Sequence, residues 1–304
     1  MPTMREPNPI AIAISDLHLS LLPPACRADK DWMGVQAHYL QQVKDWAGEL
    51  PILCAGDIFD KWNAPPELIN FALKHLPNGM YCIPGQHDLP LHRIDLMHRS
   101  GYGVLANTKK IRDLSGKTTG NMGWFQVSGF GWEQDIFYRP KQDDHSLIQI
   151  ALIHRYVWTT DKKYPGAPAT ANVVAFGKAL KGYDIAICGD NHQGFLAQAG
   201  GCRVLNVGGF IRRKSDELDY EPAVGIIYSD GTVKRRRLDT SIDRFHEPGK
   251  ERKKIPFDMK AFLDGLEGLG EHGLDFQEAV KNYLELEKVP AATAEIILAA
   301  MQTK

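Results

Sequence analysis

The chain has 304 residues, of which 43% are hydrophobic and 24% are charged, proportions typical of one large globular domain with a smaller appendage. Its formal net charge of -1 excludes a global positive field, so any contact with nucleic acid must come from local basic patches. The five cysteines have neither the spacing of a zinc site nor the density of a disulfide scaffold. The first nine residues carry no basic region followed by an apolar stretch, and no apolar run reaches the length of a membrane span. These features predict a soluble cytoplasmic protein that does not act on a membrane.

The first predicted elements alternate between strands and helices. Ile10 to Ile14 is a short apolar strand, and Trp32 to Leu50 has the apolar period of a helix. A buried strand follows at Pro51 to Ala55, then a helix from Glu67 to Leu76 and a strand from Met80 to Ile83. Two prolines before the second helix suit its first turn. This order predicts βαβ units and an α/β fold.

Further along, the pattern predicts a helix at Leu91 to Ser100 and a second set of strands. These strands are Gly103 to Leu105, Lys110 to Leu114, Trp124 to Val127, Ser146 to Ile153, Tyr183 to Cys188, Val204 to Val207, Ala223 to Tyr228 and Thr232 to Leu238. A long loop, Thr159 to Asn172, and a short helix, Phe176 to Gly182, lie between them. The loop is long enough for a substrate contact, and a loop without a role is an equally good interpretation.

The chain becomes charged and rich in Pro and Gly from Asp243 to Ile255, which predicts a linker. Three helical patterns follow, at Asp258 to Leu266, Phe276 to Glu287 and Ala291 to Met301. The predicted organisation is therefore a domain over residues 1–240 and a linker with a helical cap over residues 241–304.

Ligand-competent side chains follow five of the predicted strands. They are Asp16, His18, Asp57, Gln86, His87, His154, Asp190 and His192. Each is an ordinary turn or strand-end residue when taken alone, but the repetition favours two octahedral ions that share Asp57. Oxygen and nitrogen donors without thiolates suit Mn²⁺, Fe²⁺ or Mg²⁺. Two such ions lower the pKa of a bridging water and neutralise charge in phosphoryl transfer.

These residues form motifs that resemble those of the calcineurin-like metallophosphoesterases (DxH, GDxxD, GNHD, H and GHxH). The matching stretches are Asp16-Leu17-His18, Gly56-Asp57 with Asp60, Gly85-Gln86-His87-Asp88, His154 and Gly189-Asp190-Asn191-His192. The chain departs from the family at Gln86, where Asn is usual, and at Asp190, where the first His of the last motif is usual. Both substitutes offer an oxygen ligand, so metal binding is expected to survive.

The resemblance implies a two-sheet β-sandwich flanked by helices and two metal sites. One site would use Asp16, His18, Asp57 and His192, and the other Asp57, Gln86, His154 and Asp190. His87 would protonate or stabilise the leaving oxygen, with Asp88 orienting it; packing over the metals is the alternative role for His87.

Within the family, the motifs and the linked helical cap look most like the SbcD-type nuclease subunit, including phage-borne versions. That likeness implies manganese-dependent cleavage of DNA in repair, recombination or replication, an SbcC-like ATPase partner and a homodimer. Residues of two basic runs and two aromatics are the candidates for substrate binding: Arg212, Arg213, Lys234, Arg235, Tyr156 and Trp158. Packing or a solvated edge explains them equally well.

Two alternatives stay open. One is a small-molecule or lipid-head pyrophosphatase or phosphatase resembling UDP-diacylglucosamine pyrophosphatase, although His154 is followed here by Arg155-Tyr156 where that group has Gly-Asp. The other is a binding module that has lost activity through the changes at Gln86 and Asp190.

Overall fold

The computed structural model describes residues 7–138, 147–159 and 167–247. Its strands are β1 Pro9–Ile14, β2 Ile52–Cys54, β3 Met80–Cys82, β4 Ile111–Asp113, β5 Phe125–Phe130, β6 Ile148–His154, β7 Ile185–Gly189, β8 Phe195–Ala199, β9 Cys202–Asn206, β10 Ala223–Tyr228 and β11 Val233–Arg237. Its α-helices are α1 Trp32–Ala47, α2 Pro66–His75, α3 Gly101–Asn107 and α4 Val173–Phe176. Among these helices the longest has 16 residues, and none combines the length and apolar character that a bilayer crossing needs.

The strands form two sheets. The first has the order β11-β10-β1-β2-β3-β4, in which β1 to β4 are parallel and β10 and β11 are antiparallel additions at one edge. The second has the order β5-β6-β7-β9-β8, with β8 as its antiparallel edge. Because parallel strands end on the same side of a sheet, the residues after β1, β2 and β3 come together, as do those after β6 and β7.

Three apolar layers hold these elements together. Side chains such as Leu53, Ile150 and Leu205 fill the space between the sheets. Helices α1 to α3 pack on the outer face of the first sheet through residues such as Tyr39, and α4 packs on the outer face of the second through residues such as Phe176. The predicted α/β fold, a two-sheet sandwich flanked by helices, is confirmed. The five cysteines are buried free thiols within it.

The segment after β3 differs from the prediction. The helix expected over Leu91 to Ser100 is replaced by 3₁₀ turns at Pro90–His92 and Ile94–Arg99, and the strand expected at Gly103 to Leu105 lies inside α3. Leu91 and His92 have φ values of 51° and 58°, which interrupt a regular helix. The side chain of Ser100 then caps the next helix by accepting a hydrogen bond from Gly103 N at 3.2 Å.

Strand β8 is absent from the sequence-based prediction. It is an edge strand in which Phe195 and Ala199 are buried but the apolar residue Leu196 is exposed, so the alternation of apolar and polar residues is weak. The pair Gly200-Gly201 joins it to β9, with φ values of 59° and 84°. Two adjacent glycines are a hairpin signal in the sequence, and this signal could have placed the strand.

The end of the described chain packs against α1 through Asp243, where the predicted linker begins. Asp243 is buried and accepts hydrogen bonds from Arg27 at 2.8 Å, Tyr39 at 2.9 Å and Arg212 at 3.0 and 2.8 Å. The chain divides into two compact units, residues 1–252 and 253–304, and the described part of the first unit continues past residue 240. The three C-terminal helices predicted after residue 257 lie outside the described residues.

This network corrects the substrate-binding role expected for Arg212. Its guanidinium pairs with Asp243, donates to the Leu218 carbonyl at 2.8 Å and stacks 4.9 Å from the Phe245 ring. Its side chain is only 14% exposed. Arg212 therefore binds this part of the fold rather than a substrate phosphate.

Replacing Asp243 by Ala should lower the free energy of unfolding by about 3 to 5 kcal/mol. The buried guanidinium of Arg27 would lose one of its carboxylate partners, and removing one partner of a buried ion pair is costly. Asp243→Asn keeps hydrogen-bond acceptors and should lose less. Urea unfolding measures both, with Asp45→Ala on the exposed face of α1 as the control. Equal stability of Asp243→Ala and the wild type would contradict this account.

Candidate metal centre

The strand ends bring the predicted metal-ligating residues into one cluster between the two sheets. His154 is the last residue of β6, and the other members follow β1, β2, β3 and β7: Asp16, His18, Asp57, Gln86, Asp190 and His192. Hydrogen bonds join the segments, since Asp16 N donates to the Gly56 carbonyl at 3.0 Å and Asp190 N to Asp16 Oδ1 at 3.1 Å. His154 and Asp190 of the second sheet therefore lie beside the residues that follow the strands of the first sheet.

The backbone of this cluster is held in a conformation that most side chains avoid. Asp16, His18, Asp57 and Asp190 have φ values of 52°, 43°, 54° and 80°. Non-glycine residues in this left-handed region cost on the order of 1 kcal/mol or more each, and they concentrate at functional sites. Favourable contacts elsewhere in the fold must therefore offset several kcal/mol of backbone strain at these four residues.

Glycine precedes the ligands because the cluster leaves no space for a side chain there. A Cβ atom on Gly85 would overlap the carboxylate of Asp57, and one on Gly56 would overlap the imidazole of His154. Gly56 also has a φ of 99°, which favours glycine on its own. The Gly-Asp and Gly-Gln pairs are therefore requirements of close packing as well as turns.

One group of ligand atoms comes from Asp16, His18 and His192. The Nε2 atoms of the two imidazoles are 3.1 Å apart, and Asp16 Oδ1 lies 4.0 Å from His18 Nε2 and 3.9 Å from His192 Nε2. In an octahedral site with ligands about 2.1 Å from the ion, adjacent donors are roughly 3 Å apart and opposite donors roughly 4 Å apart. The two imidazoles suit adjacent positions of such a site, whereas Asp16 Oδ1 can be opposite to only one of them, so a small shift of the Asp16 carboxylate would let the three side chains hold one divalent cation.

The second group is a chain of three polar side chains. His154 Nε2 is 2.7 Å from Gln86 Oε1, and Gln86 Nε2 donates to Asp190 Oδ1 at 2.8 Å. His154 Nδ1 lies 2.5 Å from the carbonyl of Ala55, and both this oxygen and Gln86 Oε1 only accept, so both ring nitrogens carry a proton here and Nε2 would ligate a metal after losing its proton. Gln86 thus lies between His154 and Asp190 and contacts both, and its role as a metal ligand stays a prediction.

Asp57 lies between the groups. Its Oδ1 accepts a hydrogen bond from His87 N at 2.9 Å, whereas its Oδ2 is buried and has no hydrogen-bond partner. The nearest imidazole nitrogens to Oδ2 are those of His154 at 3.5 Å and His18 at 3.7 Å, one from each group. A buried carboxylate oxygen without a donor is costly, and a cation shared by these residues would satisfy it.

The electrostatics of the cluster also favour a cation. Burial lowers the pKa of His154, but the carboxylates around it, Asp57 first, outweigh burial and raise that pKa to about 10. Burial raises the pKa of Asp16 to about 6. Burial, followed by the charge of Arg213, lowers the pKa of His18 well below its usual value, which keeps the imidazole in its metal-binding neutral form. Metal binding would take the place of the proton on His154.

His87 projects beside this cluster and is exposed. Its ring centroid is 4.8 Å from that of His18, and its Nδ1 lies 2.7 Å from the carbonyl of Asp60. Because a carbonyl only accepts, Nδ1 must hold a proton, and Nε2 is left as the second proton-carrying position. This arrangement suits the proposed role of His87 as an acid at the leaving oxygen.

Asp88 does not orient His87 by a side-chain contact, which corrects that part of the prediction. The Asp88 carboxylate is fully buried and accepts backbone hydrogen bonds from Ile58 at 3.2 Å, Phe59 at 3.1 Å and Gly85 at 3.1 Å. Burial, reinforced by the charge of Asp57, raises the pKa of Asp88 to about 7. Asp88 joins the loops after β2 and β3, and the Asp60 carbonyl orients the His87 ring.

We expect Asp88→Ala to lower the free energy of unfolding by about 3 kcal/mol or more, because three buried N–H groups lose their acceptor at about 1 kcal/mol or more each. Metal affinity should fall as well, since the loops on both sides of Asp57 are released. Chemical unfolding and a metal titration measure the two effects, and Asp88→Asn should restore part of each. Wild-type stability in Asp88→Ala would refute the assignment.

The basic residues expected to bind substrate separate in the structure. Arg213 reaches the cluster and pairs with the carboxylate of Asp60, whose Oδ1 is 3.8 Å from His18 Nδ1. Arg235 lies against Gly194 in the loop after β7, with two of its nitrogens buried and without a hydrogen-bond partner. Lys234 is on the opposite face of β11, exposed and 5.2 Å from the Tyr228 ring. These basic residues therefore do not form a single positively charged surface patch.

The two aromatic residues after β6 have a different relation to the site. The indole nitrogen of Trp158 donates to the Pro168 carbonyl at 2.9 Å, which ties the ends of the long loop together. Tyr156, two residues before Trp158 in the chain, is partly buried. The aromatic ring at the cluster is Trp132, whose centroid is 6.2 Å from that of His154 and 6.3 Å from that of His92. Sequence reasoning missed Trp132 because it follows β5, which carries no ligand.

Glu217 was also missed. Its Oε1 lies 3.8 Å from Nδ1 of His192, and its Oε2 accepts hydrogen bonds from Arg213 N at 2.7 Å and Lys214 N at 3.2 Å. A carboxylate on the far nitrogen of a metal-ligating imidazole orients the ring and raises its basicity. The residue belongs to a 3₁₀ turn beyond the last motif, so no motif spacing could indicate it.

The ligand cluster coincides with the part of the chain that matches a known family. The family model described as calcineurin-like phosphoesterase matches residues 11–194, which include every residue of the ligand cluster. A search of curated proteins by sequence gave no match.

Several solved structures are similar to this chain at low identity and low TM-score. An archaeal phosphodiesterase is 11% identical, with 75% of this chain and 99% of that chain covered and a TM-score of 0.38. A metallophosphoesterase from Sphaerobacter thermophilus is 16% identical, with 76% and 89% covered and a TM-score of 0.38. A 5'-nucleotidase precursor from Thermus thermophilus is 12% identical, with 85% and 58% covered and a TM-score of 0.42.

Proposed function

Because the chain belongs to the calcineurin-like phosphoesterase family, we propose that it is a two-metal phosphodiesterase whose substrate is DNA. The observation that carries the reaction class is the position of Asp57. Its Oδ2 is buried without a hydrogen-bond donor and lies within 3.7 Å of imidazole nitrogens from both ligand groups. A carboxylate in this position can bridge two cations.

The residues divide into two ligand sets around Asp57. Asp16, His18 and His192 would hold one ion, and Gln86, His154 and Asp190 the other. Two divalent ions supply an activated water and neutralise charge on the phosphate. The oxygen and nitrogen donors favour manganese, with Fe²⁺ or Mg²⁺ as the alternatives.

Protein side chains around the cluster have the remaining tasks. His87, with Nδ1 held by the Asp60 carbonyl, is oriented to donate a proton from Nε2 to the leaving oxygen. Arg213 carries a positive charge beside Asp60 at the same edge of the cluster, where a substrate phosphate would enter. The exposed position of His87 lets it meet a large substrate.

The choice of DNA rests on the motif resemblance to SbcD-type nucleases and on local features of the site. Arg213 and Arg235 supply positive charge to a chain that is close to neutral overall. Trp132, near His154, offers an aromatic surface for a base. The proposal extends to a cytoplasmic role in DNA repair, recombination or replication, with an SbcC-like ATPase and a second copy of the chain as partners.

A substrate panel tests this proposal. The manganese-loaded protein is assayed with a chromogenic phosphodiester, linear duplex DNA, single-stranded DNA and a nucleotide sugar, each with and without EDTA. We expect EDTA-sensitive cleavage of the diester and of DNA. Cleavage of the nucleotide sugar alone would replace DNA by a small pyrophosphate substrate, and absence of all hydrolysis with metal bound would indicate a binding module.

A further inference from the structure

A second concave site lies at the opposite end of the first sheet from the metal cluster. Its volume is about 790 Å³, and it is formed by the residues that begin β2, β3 and β4 together with the ends of α1 and α2. The ligand cluster follows the carboxyl ends of β1 to β3, so the two sites are separated by the length of the parallel strands. Its volume is in the range of small-molecule sites.

Four cationic side chains line this cavity: Lys44, Lys74, Lys110 and Arg112. Lys110 Nζ donates to Asn78 Oδ1 at 2.7 Å, and Arg112 donates to the hydroxyl of Tyr81 at 2.6 Å. Within the described part of the chain, none of the four forms an ion pair with a carboxylate, although other surface cations such as Lys117 and Arg237 do. The four cations therefore line one cavity without an equal number of carboxylates to pair with them.

A structural role at helix ends explains only part of this charge. Lys44 and Lys74 lie in the last turns of α1 and α2, where they complement the negative ends of the helix dipoles. Each dipole end is equivalent to about half a negative charge, so the two ends supply about one, and Glu49 in the lining supplies one more. About two of the four positive charges remain uncompensated.

The cations that line the cavity are close enough to affect the pKa values of Lys110 and of His75. Burial, followed by the charge of Lys44, lowers the pKa of Lys110. Burial lowers the pKa of the neighbouring His75, and Lys74, Lys44 and Lys110 lower it further. The protonated forms of Lys110 and His75 are thus made less favourable by burial and by the neighbouring positive charges, and an anion in the cavity would relieve that repulsion.

We propose that this cavity, defined by Lys44, Lys74, Lys110 and Arg112, binds a small anion with two or three linked phosphate groups. A single carboxylate would leave cations unmatched, whereas a chain of phosphates presents several charged oxygens to the four cationic side chains that line the cavity. Arg112 offers a planar fork and the lysines offer point charges, the usual combination for phosphate recognition. The site is independent of the metal cluster.

Inorganic triphosphate is the probe. Calorimetric titration of the full chain in EDTA, which keeps metal ions from the ligand cluster, should show saturable binding to one site, and the affinity should fall as salt rises. Lys44→Gln with Lys74→Gln removes two cations from the cavity. Because the variant removes two of the four charged donors, it should bind triphosphate at least about tenfold more weakly.

The matched control is Lys30→Gln with Lys178→Gln, which removes the same charge from exposed positions outside the cavity. It should bind triphosphate like the wild type, and both double variants should retain hydrolysis of the chromogenic diester. Equal affinity of the cavity variant and the wild type would overturn the proposal, as would an absence of binding in EDTA. Saturable binding of duplex DNA at these lysines without binding of triphosphate would also overturn it.

Discussion

Replacing Asp57 by Asn should lower turnover of a phosphodiester by about a thousandfold or more. The substitution keeps the size of the side chain and an oxygen acceptor for His87 N, but it removes the negative charge that faces both His18 and His154. Charge stabilisation by metal ions is worth several kcal/mol, and each 1.36 kcal/mol is a factor of about ten in rate. A steady-state assay with a chromogenic diester measures the loss.

The same variant should bind fewer metal ions, which separates a ligand role from a role in folding. Metal content after reconstitution should fall below that of the wild type while the unfolding transition stays cooperative. Asp45→Asn, on the exposed face of α1, changes charge equally and should leave both quantities unchanged. If Asp57→Asn kept wild-type turnover with its full metal content, Asp57 would not be a bridging ligand.

Replacing His87 by Ala should lower the rate by about a hundredfold or more for DNA, since general acid catalysis contributes about that much. The loss should be much smaller for a diester that releases nitrophenolate, because that group leaves without a proton. Metal content should not change, as His87 lies beside the ligands and is held by the Asp60 carbonyl. Comparing the two substrates at saturating metal measures the difference.

His98 provides the control for this experiment. It is exposed, and its Nδ1 lies 3.1 Å from the carbonyl of Asp95, which is the arrangement that His87 has with Asp60. His98→Ala should therefore have wild-type activity on both substrates. An equal loss on both substrates for His87→Ala would assign His87 to packing over the metal site instead of proton transfer.

The ligand cluster was within reach of sequence reasoning because its residues repeat one pattern. An apolar strand, a glycine and a polar ligand recur after β2, β3 and β7, and the parallel topology brings these ends together. Gly85 and Gly56 are needed for the same reason, since the cluster excludes a Cβ at both positions. Local pattern and global fold agree at these positions, so the pattern was sufficient to predict which residues meet.

The remaining features depend on contacts between distant parts of the chain. Asp88 resembles a catalytic partner of His87 in sequence, yet its carboxylate accepts backbone N–H groups from residues 29 and 30 positions away. Arg212 and Arg213 are adjacent, but one binds Asp243 and the other Asp60. Side-chain direction decides these roles, and it is set by packing that a linear pattern does not contain.

The most direct test of the central claim is the number and coupling of bound manganese ions. Metal analysis of the reconstituted protein, combined with electron paramagnetic resonance, distinguishes two neighbouring ions from isolated ones. We predict two manganese ions per chain with an exchange-coupled signal that Asp57→Asn abolishes. A single uncoupled ion per chain in the wild type, or a coupled pair that persists in Asp57→Asn, would contradict a centre bridged by Asp57.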